Sequence, residues 1–155
     1  MSAKITFENA APLTRIEALQ ALDNVLAEQG VVMVYLGSQY VKAVSVREAP
    51  SEPGPILEVP WRQLPESSSF ITYITHLKTP KTDEPGILQR VMNPSKPTNV
   101  NHRAENIVSR LTPFAKLPNS IVAGRDSDVL ILRDYSVNVR RMMEVLERVE
   151  ADSNR

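Results

Sequence analysis

ENIVSRLTPFAKLPNSIVAGRDSDVLILRDYSVNVRRMMEVLERVE, residues 105–150, is the stretch that settles the fold class. Its final third sets Val139, Met142, Met143, Leu146 and Val149 at helical spacing, so one stripe of a helix is apolar and the rest is polar or charged. Ser136 stands where it can cap that helix. Just before it, Val129 to Leu132 is an apolar run of strand length, and Ser120 to Ala123 is a shorter one. Gly124-Arg125-Asp126-Ser127 supplies the turn chemistry between them. Ala104 to Leu111 is helical, with Ile107, Val108 and Leu111 on one face, and Pro113 stops it. Burying the stripe of the last helix stabilises by roughly 1.5–3 kcal/mol per side chain before conformational entropy is subtracted.

Upstream, Phe70 to Leu77 is a strand, so residues 70–150 run β-α-β-β-α. A crossover through the first helix makes the first two strands parallel, and the hairpin adds an antiparallel one. The expected product is a small mixed sheet with helices packed on one face. Residues 1–48 repeat the order β-α-β-β. Lys4 to Glu8 alternates, with Ile5 and Phe7 on one side. Thr14, with Glu17 three residues on, forms a capping box. Ile16, Leu19, Leu22, Val25 and Leu26 are the expected inward stripe of the helix that follows, and Gly30 ends it. Val31 to Leu36 is almost continuously apolar, as in a strand covered on both faces. Gly37-Ser38-Gln39 turns it, and Tyr40 to Val46 returns. The fold class is therefore α+β, built of two small β-α-β-β(-α) modules of KH-like outline.

Pro50, Pro53, Pro55, Pro60 and Pro65 mark residues 49–69 as a linker that neither helix nor central strand crosses. Ile56, Leu57, Val59 and Trp61 interrupt it, and they are expected to dock on a neighbouring module. Pro80, Pro85, Pro94 and Pro97 mark an irregular insert at 79–101, in which Leu88, Val91 and Met92 suggest one short helix. Residues 151–155 are a tail. Each module core is small, so contacts between modules or between chains are expected to add stability.

The chain has 155 residues, 42% of them apolar and 23% charged, in the range of ordinary folded domains. Eighteen basic residues balance eighteen acidic ones, so no net field draws nucleic acid or anionic lipid. Cysteine is absent, which removes disulfide scaffolds, thiolate metal sites and Cys nucleophiles. No apolar run approaches the roughly 20 residues of a membrane-spanning helix. MSAKITFENA lacks the basic and apolar regions of a signal peptide, so the chain is read as either cytoplasmic or a piece of a longer protein.

Little in the sequence suggests chemistry. His76 and His102 could form a metal site only with Asp83 and Glu84, and their spacing matches no ligand motif. No Gly-x-Ser-x-Gly elbow and no Gly-rich phosphate loop is present. Asp126 and Asp128 fall in a tight hairpin, where turn chemistry explains them. A KH nucleic-acid module needs a Gly-x-x-Gly loop, and none occurs. The reading is of a non-enzyme without cofactor, metal or nucleic acid. The last helix carries Arg140, Arg141, Glu144, Glu147, Arg148 and Glu150 on its outer side; Arg140–Glu144 and Glu144–Arg148 are spaced to pair.

Residues 105–150, with Thr75-His76-Leu77, Ser120 to Ala123, Val129 to Asp134, and Asn138-Val139-Arg140-Arg141-Met142 running on to Val149-Glu150, resemble the ring-building periplasmic domains of bacterial secretins. Secretins are the outer-membrane channels of type II secretion and type IV pilus systems. The segment KITFENAAPLTRIEALQALDNVLAEQGVVMVYLGSQYVKAVSVREA, residues 4–49, is similar to the second half of the most N-terminal domain of that family. The two segments stand in the family's order, joined by the Pro-rich linker. The resemblance implies a structural module whose partners are other copies of the chain in a ring, an inner-membrane platform protein, and a secreted or pilus substrate. It also implies a periplasmic location, with membrane contact only through a C-terminal barrel of the full-length protein that is missing from this chain. By position, the subunit-contact residues are Arg140, Arg141, Glu144 and Arg148, with the strand edges of the hairpins. The alternative is a cytoplasmic KH-like module that binds nucleic acid or protein.

Overall fold

The computed structural model describes residues 6, 8, 11–37, 40–78, 100–124 and 128–152, the side chains of 100–102 excepted. The elements are α1 (Arg15–Glu28), β1 (Val31–Leu36), β2 (Tyr40–Ser45), β3 (Phe70–His76), α2 (Val100–Leu111), β4 (Ile121–Ala123), β5 (Val129–Tyr135) and α3 (Ser136–Asp152). The expected strand over Lys4 to Glu8 and the expected helix around Leu88 to Met92 lie outside the described residues.

β3, β5 and β4 form a three-stranded sheet in that order. Every ladder in it is antiparallel: Phe70 pairs with Tyr135, Ile74 with Ile131, and Val122 with Ile131. This corrects the mixed sheet expected from the crossover. β3 and β4 do run the same way, but the return strand of the hairpin lies between them and takes both sets of hydrogen bonds. Among the described residues the one parallel pairing comes from the Pro-rich segment, where Ile56 bridges Thr72 through Leu57 N to Thr72 O and Thr72 N to Pro55 O.

Strand alternation then divides the core. Ile71, Tyr73, Leu130 and Leu132 point one way and meet Ala104, Ile107 and Leu111 of α2 and Val139, Met142, Met143 and Leu146 of α3. Both helices thus pack on one face, as expected. Val149 is only half-buried, and Glu150 is the buried residue of that last turn, where it accepts from Lys78 N at 2.7 Å. Phe70 and Tyr135 point the other way and join Val32, Val34, Val44, Ala49 and Leu117 in a second cluster. The β1–β2 hairpin therefore sits against one end of the back of the sheet.

β1 is fully buried only at Val32 and Val34; Val31, Met33 and Tyr35 are half-buried. The continuous apolar run thus covers one face and part of the other, not both. The capping box of α1 is present, with Thr14 Oγ1 accepting from Glu17 N and Glu17 Oε2 accepting from Thr14 N. Its inward stripe is not the expected one. Ile16 is 69% exposed, Leu22 43% and Leu19 38%, and the single buried residue is Asp23. Cover begins at Gln20 and continues through Val25, Leu26 and Ala27, so only the C-terminal half of α1 rests on anything described.

The segment 49–69 is held along its length. Ala49, Leu64 and Ser67 are buried, and Leu57 and Trp61 pack against the helix-side core, while Ile56 and Val59 stay exposed. Gly54 lies so close to the Phe70 ring that a Cβ there would stand 2.5 Å from it.

Candidate functional site

The four helix residues singled out by position have different surroundings. Arg140 is committed within the chain: it donates to Leu64 O at 3.1 Å and pairs with Glu66 at 2.9 Å, not with Glu144. Glu144 pairs with Arg148 at 2.6 Å, both largely exposed. Glu147 is taken by Arg62 at 2.6 Å, and the Arg62 guanidinium stacks over Trp61. Arg141 is exposed, and no described residue bonds to it. The outward face of α3 is thus a mixed-charge surface centred on Arg141 and the Glu144–Arg148 pair. Such exposed pairs contribute a few tenths of a kcal/mol, roughly 0.3–0.5, and leave the groups open to a partner.

On the opposite side of the sheet, Ile74, Ile131 and Val122 are neighbours across three strands. Ile74 and Val122 are 44% and 47% exposed. Phe70 and Tyr135, on the same face, are covered by the hairpin; this row is not. Strand alternation alone could have found it, because Ile74 shares a face with Phe70 and not with Tyr73.

The two units meet at the strap Glu66–Ser69. Ser69 O accepts from Ser136 N and Ser67 O from Val137 N, so strap carbonyls satisfy the first two N–H groups of α3. Ser136 does not cap its helix as expected; its hydroxyl donates to Pro65 O at 2.6 Å. From the other side, Ser68 N donates to Asn24 Oδ1 at 3.0 Å and Ser69 Oγ donates to Asp23 Oδ2 at 2.5 Å. Tyr35 OH donates to Asp23 Oδ1 at 2.9 Å. Burial pushes the Asp23 carboxyl above its ordinary value, and these two donors only partly offset it. Burial and the neighbouring Asp23 likewise hold the Tyr35 hydroxyl far above its ordinary range.

Asp134 is another buried carboxylate. Its Oδ2 accepts from Lys116 N and Leu117 N, and its Oδ1 from Tyr135 N and Asn138 Nδ2. Four donors on one carboxylate satisfy its oxygens and pin the loop before β4 to the start of α3. Neither Asp23 nor Asp134 stands out in the sequence, because a polar residue inside an amphipathic pattern looks the same as a solvated one.

Nothing described converges on a reaction. His76 faces Asp128 at 3.7 Å on the surface, and among the described residues no group of His, Asp or Glu is placed to hold a metal. Asp83, Glu84, Asp126 and the His102 side chain lie outside the described residues. A shallow groove of about 450 Å³ runs between the Ile56–Pro60 segment and Tyr73–Ile74, and its one hydroxyl, Tyr73 OH, is already spent on Val59 O. Among the described residues no helix is long and apolar enough to cross a membrane.

No family model matches the chain, and no curated protein does. Two of the solved structures similar to it are from type II secretion systems. One is the Klebsiella pneumoniae type II secretion system outer membrane complex of PulD, PulS and the PulC HR domain, at 15% identity and a TM-score of 0.39 over 94% of this chain. The chain spans 33% of that protein's length. The other is the enterotoxigenic Escherichia coli GspC–GspD complex of the type II secretion system, at 16% identity and a TM-score of 0.28, covering 96% of this chain and 78% of that one.

Proposed function

We propose that the chain is a structural module of a secretin-type outer-membrane channel, lying in the periplasm and building rings with other copies of itself. In this reading the rings stack to extend a passage for a secreted protein or pilus and dock an inner-membrane platform protein. The sequence resemblance supports it, and one structural observation carries it. The larger unit has two unlike faces: the charged outward side of α3, and the Ile74–Ile131–Val122 row, which the hairpin does not cover, beside the edge of β4 that no described strand pairs with. A closed ring needs such an unlike pair, because each copy must present one face to the copy ahead and the other to the copy behind. Each contact can be weak, since many close together.

Sedimentation velocity over a concentration series tests this. The expected result is a monomer at low concentration and weak, reversible association at high concentration that Arg141→Glu alters without changing the circular dichroism spectrum. A tight dimer through one symmetric face would overturn the reading, as would a strict monomer at every concentration reached.

A further inference from the structure

We propose that Asp23 is a protonation-sensitive latch that sets how firmly the hairpin unit is held to the three-stranded unit. Asp23 is 2% exposed, and it lies where the two units join. Its oxygens are shared between Tyr35 of β1 and Ser69 of the strap, residues 46 positions from Asp23 in the second case. Among the described residues no Lys, Arg or His forms an ion pair with it.

Charged groups on the elements that meet here have partners of their own. On β1 the titratable group at Asp23 is Tyr35, a neutral donor. In the strap, Glu66 turns to Arg140. On α1, Glu17 is tied back to Thr14. At the start of α3, Asp134 is filled by the amides of Lys116, Leu117 and Tyr135 and by Asn138. The joint therefore contains a buried carboxylate whose charge, among the described residues, is met by hydroxyls alone, an arrangement in which the protonated form is favoured by burial.

The direction follows from linkage. Closing the joint removes Asp23 from water and raises its affinity for a proton. Between the two midpoints the closed state binds more protons than the open one, so acidification tightens the joint. The preference is fully present below the ordinary value of 3.8 and is lost as pH rises through the closed-state midpoint. The ratio of closed to open changes by about tenfold for each unit that separates the midpoints.

Amide hydrogen exchange, corrected for the intrinsic pH dependence, reads this at Ser68, whose N–H crosses the joint to Asn24. Protection should fall as pH rises from below 3.8 toward neutrality, following the Asp23 carboxyl resonance in a parallel NMR titration. Asp23→Asn should hold the protection high and flat. Ser69→Ala removes a donor that favours the ionised form, so it should move the Asp23 midpoint upward; this reading stands even if Asp23→Asn does not fold. An Asp23 midpoint at or below 3.8, a wild-type slope retained by Asp23→Asn, or a midpoint unmoved in Ser69→Ala would each overturn the latch.

Discussion

α1 and α3 are both amphipathic helices, and both start where sequence signals place them. α3 buries four of the five residues of its stripe, Val139, Met142, Met143 and Leu146, inside the larger core. α1 leaves Ile16, Leu19 and Leu22 exposed and buries Asp23. The difference lies in what each helix has to pack against. α3 faces a three-stranded sheet whose inward residues are supplied by β3 and β5. Among the described residues α1 faces a two-stranded hairpin, too narrow to cover a full helix; the strand expected over Lys4 to Glu8 lies outside them. Periodicity names the apolar face of a helix; whether anything covers that face depends on the width of the sheet beneath it.

The sharpest way to break this comparison is one charge placed at matched positions on the two helices. Leu146→Asp should lose about 3–5 kcal/mol, because it buries an unpaired charge among apolar side chains. Leu19→Asp should stay within about 0.5 kcal/mol in urea melts, as surface substitutions do. Equal losses would mean that α1 is covered after all.

Asp134→Ala comes next. It strips the acceptor from the buried Leu117 N and Tyr135 N and from the partly buried Lys116 N and Asn138 Nδ2, so about 2–6 kcal/mol should be lost, each of the two buried donors contributing about 1–3. A chemical melt that shows no loss would place those amides on water. Gly54→Ala follows, at about 1–3 kcal/mol, because its Cβ must displace the fully buried Phe70 ring. Thermal unfolding would measure it, and an unchanged midpoint would mean that the Pro-rich segment moves aside freely.

The smallest effect, at Tyr135, is read against a second tyrosine. Tyr35→Phe removes a donor to a buried carboxylate and should lose about 1.5–3 kcal/mol. Tyr135→Phe should be neutral or slightly stabilising, because its buried hydroxyl has no partner among the described residues. A loss at Tyr135 equal to that at Tyr35 would put a hydrogen-bond partner on Tyr135 OH.

Much of the larger unit was legible in the sequence. The strands, both helices and four of the five stripe residues of α3 follow from spacing that the sheet then satisfies. Three features escaped. The order β3-β5-β4 depends on which strand edge the hairpin returns to, and spacing does not encode that. Asp23 and Asp134 have the pattern of exposed residues, and only their tertiary donors make them internal. The strap was visible as a proline-rich break, but the use of its Ser67 and Ser69 carbonyls to complete the first turn of α3 was not. On the candidate contact face, the exposure of Arg141 and the Glu144–Arg148 pair follow from helix geometry. The diversion of Arg140 to Glu66 and Leu64 does not, because its partners come from a segment more than seventy positions away in sequence.

The claim that copies meet through two unlike faces can be tested directly, because the chain contains no cysteine. Thiols introduced as Arg141→Cys on α3 and Val122→Cys on β4 can be bridged with a short bis-maleimide at concentrations where association begins. The account expects a ladder of dimers, trimers and higher species from the double variant and no ladder from either single variant. Dimers alone, formed equally well by one single variant, would contradict it.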